Sequence, residues 1–153
     1  MHIPSKGSIL CFALFLIVSC RVMLIGAYDE VADQSIQKIQ NDVSSLLIKI
    51  EKNIINDDIA ANNYANFKTE YNDIEGQLQS LQIRCNALPK YKTVVDQLTS
   101  FDSTIRKLEK FHSKLGFALS DTASIRIIKE TIQFDFKQMI ILQNALKRKS
   151  NKE

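Results

Sequence analysis

From Tyr64 to Leu88 the residues Tyr64, Phe67, Tyr71, Ile74, Leu78, Leu81, Cys85 and Leu88 recur in alternating steps of three and four. That rhythm lines them along one face of an α-helix and is incompatible with the two-residue period of a strand. A helix of this kind is marginal alone in water and must bury its stripe against others. Three other segments supply such stripes. The first runs from an N-cap at Asp29 to about Asn56 through Ile36, Ile39, Val43, Leu46 and Ile50, and Asn56-Asp57-Asp58 breaks it. Pro89 ends the second. The third uses Val94, Leu98, Phe101, Ile105, Leu108 and Leu115, with Gly116 at the expected C-terminal cap. Ser120 or Asp121 caps the fourth, which passes through Ile125, Ile128, Ile132, Phe136, Met139 and Leu146 to about Lys147. Short links between helices of similar length make neighbours antiparallel. The expected fold is all-α, an up-down-up-down four-helix bundle over residues 29–148, with a basic tail at 149–153.

The first 19 residues stand apart. Lys6 precedes an apolar run from Ser8 to Val18, the layout of an export signal, and the run stops at Ser19-Cys20. A spanning helix from Ile9 to Ala27 would put Arg21 well inside the hydrocarbon, at a cost of at least about 2.5 kcal/mol. A signal cut after Ala27 needs Ile25 at a position that prefers small residues. A lipid-modified Cys20 accounts for Ile17, Ser19 and Cys20 together, with residues 1–19 as signal peptide and 20–28 as tether; cleavage after Ala27 is the open alternative. Removing the signal leaves 134 residues, enough for one domain with a real core. It also leaves Cys85 as the one cysteine besides the anchor, which excludes a disulfide framework and reads as core packing.

Ile17-Val18-Ser19-Cys20 resembles a bacterial lipobox, and Tyr28 to Ile36 resembles the start of small, uncharacterised helical lipoproteins of Gram-negative envelopes. The resemblance implies acyl chains on Cys20 as the membrane contact. Arg21 in place of Asp after the cysteine is similar to lipoproteins sent to the outer membrane, facing the periplasm. It implies no chemistry for the body.

Charge divides between the two halves of the bundle. Tyr28 to Asn86 carries five basic and ten acidic residues, Ala87 to Glu153 thirteen basic and seven acidic. Two hairpins of opposite sign attract each other as they pack. A sharper reading gives the basic half and Lys147-Arg148-Lys149 to anionic lipid or a cell-surface polymer. Export argues against nucleic acid as a partner.

Candidate chemistry is sparse. Glu109-Lys110-Phe111-His112 contains one Glu-x-x-His step, where di-iron bundles need two and further inward glutamates, so His112 reads as a partly buried or helix-end histidine rather than a metal ligand. Nothing calls for a cofactor. No nucleophile elbow, phosphate loop, zinc spacing or paired carboxylates with an adjacent base appears, so no catalytic residue is assigned and the chain is not read as an enzyme. Asp135 falls inside the apolar arc of the fourth helix, where an unpaired carboxylate is costly, and Gln40 is the expected partner in a buried polar layer that fixes register. Ile127, Phe134 and Ile141, seven apart, make a second apolar stripe on that helix. It either widens the packing to both neighbours or forms an exposed strip that docks an envelope partner or a second copy. The expected function is a structural or protein-interaction role. The alternative is a small-ligand or metal carrier using the interior near Tyr64, Phe67 and Tyr71.

Overall fold

The computed structural model describes residues 26–115, 117 and 122–151, and among them the chain forms four long α-helices and no strand. The signal segment, Cys20, Gly116, Ser120 and Asp121 lie outside the described residues. The helices are α1 (Glu30–Ile55), α2 (Lys68–Ala87), α3 (Lys92–Leu115) and α4 (Thr122–Ser150), with a 3-10 turn at Tyr64–Asn66. No helix among the described residues is long and apolar enough to cross a membrane.

Capping sets the boundaries. Asp29 accepts the Ala32 N–H at 2.7 Å, a side-chain N-cap, and takes a forked bond from Arg84 of α2 at 2.9 and 2.7 Å. The Arg84 guanidinium holds the Asp29 carboxyl below the usual carboxylate range. At the other end Asp57 takes a left-handed φ of 53°; its N–H bonds Ile54 O and the Asp58 N–H bonds Asn53 O, the paired pattern of a Schellman cap. The second helix begins later than its apolar rhythm implies. Asn63 caps Ala65 through its side chain at 2.9 Å and winds Tyr64–Asn66 into the 3-10 turn, so α2 starts at Lys68 with Phe67 as its N-terminal flank. At the far end α4 continues to Ser150, taking in the start of the segment read as a tail.

Each helix packs against its chain neighbours and α4 closes back onto α1. Lys129 of α4 reaches Glu51 of α1 at 2.6 Å, and Arg106 of α3 pairs with Glu75 of α2. Both pairs join the basic half to the acidic half, the attraction expected from the uneven charge. The core runs the length of the bundle through Ile36, Val43, Ile50, Leu78, Leu98 and Ile132, with Phe101 and Phe136 meeting at 4.5 Å between ring centroids. Cys85 is buried in it, and burial pushes its thiol up to about 11, so it packs as a small apolar side chain.

The body reaches further toward the N-terminus than expected. Gly26 is buried, its N–H donates to Lys90 O at 3.1 Å, and a Cβ there would fall 2.6 Å from the Tyr91 ring. Only glycine fits that approach. Tyr28 hydrogen-bonds Asp33 at 2.8 Å and lies under the Lys147 ammonium. Residues 26–28, expected as tether, therefore belong to the packed body, because the link between α2 and α3 offers them a surface.

Candidate functional site

α4 turns two apolar faces in opposite directions. Ile125, Ile132, Phe136, Met139 and Leu146 point inward and are at most 3% exposed. Ile127, Phe134 and Ile141 sit about half a turn away around the helix and are 60%, 60% and 52% exposed. The second stripe does not widen the packing to α1 or α3. Four-helix packing needs an arc of roughly 100° to 150°, which the inner residues fill, so the outer three are left as a ridge in solvent. Between this ridge and α1 runs a groove of about 680 Å³, floored by Leu47, Ile132 and Phe136 and flanked by Ile48 and Ile141. Ile48 and Ile55 on α1 are themselves 45% and 62% exposed. The groove between α1 and α2 is larger, about 990 Å³; Leu46, Ile74 and Leu81 line it together with Ser35, Ser45, Gly76 and Ser80, the Lys38–Asp42 pair lies along its α1 side and the Lys49–Glu70 pair bridges it.

The expected layer of Asp135 and Gln40 is not formed. Lys129 opposite Glu51 fixes the register of α4 on α1, and counting from that pair sets Gln40 level with Ile140, about 7 Å beyond Asp135. Gln40 instead lines the α1–α4 groove beside Gln133 and Lys137. Asp135 is half-buried toward α3. Desolvation pushes its carboxyl up, while the Thr104 hydroxyl partly offsets that. The links between α1 and α4 set this register together, and their paths cannot be read from stripe positions.

The interior polar group lies elsewhere, at the end of the bundle where α1 hands over to α2. His112 is 1% exposed and Asn62 2% exposed. His112 Nε2 lies 2.7 Å from Asn62 O, a carbonyl that only accepts, so Nε2 carries the proton. Nδ1 is then the acceptor, and Tyr71 donates its hydroxyl to it at 3.2 Å. Asn62 Nδ2 donates to Phe117 O at 3.2 Å, and Tyr64 donates to Glu109 at 2.6 Å. Rings close around the imidazole, with Phe67 at 4.9 Å and Phe117 at 5.0 Å between centroids. Burial depresses the basicity of His112. The arrangement ties the α1–α2 loop and the end of α3 to α2 through one neutral imidazole. Tyr64, Phe67 and Tyr71, the residues a carrier would use, spend their surface on this cluster. No group of three or more His, Cys, Asp or Glu side chains that could hold a metal occurs among the described residues.

Sequence reasoning found the ridge and missed the cluster. His112 is 41 residues from Tyr71 and 50 from Asn62 and meets them only through the fold. Gln143 was missed as well. It is 2% exposed on the inner face of α4, and neither amide atom finds a hydrogen-bond partner among the described residues. Comparison with protein-family models, with curated proteins and with solved structures finds no match to this chain.

Proposed function

We propose that this chain is a lipid-anchored protein of a bacterial cell envelope, outer membrane facing the periplasm, whose work is binding rather than catalysis. Acyl chains on Cys20 hold it to the membrane, and the bundle presents the outer face of α4 to a protein partner. The observation that carries the interaction reading is the Ile127-Phe134-Ile141 ridge, three large apolar side chains exposed on a helix whose inner face is already buried. An apolar ridge costs free energy in water and adds nothing to this core, so its use is a contact beyond the bundle.

Packing at Gly26 supports the boundary at Cys20. A cut after Ala27 would remove Gly26 and its bond to Lys90, whereas a mature chain starting at Cys20 keeps both. The five residues between Cys20 and Gly26 then span at most about 20 Å, which holds the α2–α3 end of the bundle close to the membrane.

The test places a photo-reactive residue at Phe134 in the full chain expressed in bacterial cells, with the same residue at exposed Ile83 on α2 as control. An adduct at position 134, none at 83, and its loss with Cys20→Ser are expected. Equal labelling at both positions, or none at 134, overturns the reading.

A further inference from the structure

The outer face of α4 is a palindrome. Ala123, Ile127, Phe134, Ile141 and Ala145 lie at −11, −7, 0, +7 and +11 residues from Phe134, and all five are exposed. At about 100° per residue they share an arc of about 40°, spread over about 33 Å of helix. A surface with this symmetry is complementary to itself when a second copy is turned end for end. Ala123 then meets Ala145, Ile127 meets Ile141, and Phe134 meets its own counterpart, the isologous contact of a twofold dimer.

Charge fixes the same geometry independently. Glu130 and Lys137 flank Phe134, four residues before it and three after, on one side of the ridge. Lys129, on the groove side, is matched by Glu51, but the side chains of Glu130 and Lys137 have no ion pair or hydrogen bond among the described residues. In the antiparallel arrangement Glu130 of one copy and Lys137 of the other come within about 1.5 Å of the same height along the helices, and the twofold makes the pair twice. Parallel pairing would put the two copies of each residue on opposite sides of the seam, and neither ion pair would form.

We infer that the partner of the α4 ridge is a second copy of this chain, bound antiparallel about a twofold axis at Phe134, with reciprocal Glu130–Lys137 ion pairs. The inference deepens the interaction reading above and rests on it. One helix face makes a small interface by the standards of stable dimers, so the pairing is weak in solution and is favoured by confinement of both copies to one membrane.

The experiment uses the full chain carrying either of two C-terminal tags, both copies co-expressed, extracted in mild detergent and captured through one tag. Wild-type copies capture each other. Phe134→Lys abolishes capture, and Glu130→Lys or Lys137→Glu in both copies lowers it at least about tenfold, because like charges then face each other. Capture returns when a Glu130→Lys copy is mixed with a Lys137→Glu copy, and again when both copies carry the double exchange, which keeps the wild-type composition. Helix content by circular dichroism stays constant across the set, since all the substituted side chains are exposed. No capture by wild type, or capture indifferent to these exchanges, overturns the dimer. If the photo-adduct at position 134 joins a different protein, the dimer fails while the interaction reading stands; if no adduct forms, both fail.

Discussion

The two faces of α4 are made of the same kinds of residue and do opposite things. Phe136 is 3% exposed and packs against Phe101 with the rings tilted, whereas Phe134, two residues earlier, is 60% exposed. A helix buries a side chain according to its angle, and one Phe faces three other helices while the other faces water. Hydrophobicity alone therefore does not decide what stabilises this bundle. Position on the helix does, and what an apolar residue does on the unburied side has to be sought outside the fold.

The contrast breaks most directly by truncating the two rings separately. Phe136→Ala is expected to lower unfolding stability by about 3–5 kcal/mol, and Phe134→Ala to change it by no more than about 0.5 kcal/mol, both read from urea unfolding. A comparable loss from both would mean that the ridge is core.

The buried polar residues sharpen the comparison from the inside. His112→Ala leaves the Tyr71 hydroxyl and the Asn62 carbonyl without partners and opens a space among the rings, a loss of about 2–4 kcal/mol by the same measurement. The histidine also writes a pH signature. Its basicity is depressed in the folded state, so the unfolded chain binds the extra proton first. Stability is then flat above the unfolded value near 6.5 and falls as pH drops below it, by at most about 1.4 kcal/mol per pH unit. Melting curves from pH 7.5 down to 5 follow this, and His112→Gln should flatten them across that window. The carboxylates of Asp29, Asp42 and Glu70, held low by Arg84, Lys38 and Lys49, lose their contribution only at more acid pH, near and below about 4.

Gln143 is the exception on the inner face of α4, a buried amide with no hydrogen-bond partner among the described residues. Gln143→Leu should raise stability by about 1 kcal/mol, and a fall on thermal unfolding would mean that the amide is satisfied in solution. The smallest effect belongs to the cap of α1. Asp57 adopts a φ of 53°, where glycine carries no Cβ penalty, so Asp57→Gly should add about 0.5 kcal/mol in the same assay.

Much of this architecture was legible in the sequence because the stripe of each helix is local information. Ile36 to Ile50, Tyr71 to Cys85 and Val94 to Leu108 are read from spacing and are buried, as are Ile125, Ile132, Phe136, Met139 and Leu146, with Ile128 partly buried beside them. The same signal overran at Tyr64 and Phe67. Their spacing continues the helical rhythm, but Asn63 caps a 3-10 turn there, and the two rings are needed around His112 whether or not the backbone is helical. The ridge was visible as a second stripe, yet whether it was buried depended on the angle between neighbouring helices. Register was not legible. The pairing of Gln40 with Asp135 assumed an alignment that Glu51 and Lys129 displace by about five residues. The convergence of Asn62, Tyr71 and His112 is a product of tertiary structure, and nothing in the spacing of one element announces it.

The proposed anchor makes a demand on the mature N-terminus that the fold shares. Lipid attachment would need Cys20, and the packing against Tyr91 needs Gly26. The direct measurement is the intact mass of the mature chain together with its partition between membrane and soluble fractions, for wild type and Cys20→Ser. A chain beginning at an acylated Cys20, held in the membrane fraction and released by the substitution, is the expected result. A chain that begins at Tyr28, carries no lipid and stays soluble would contradict it.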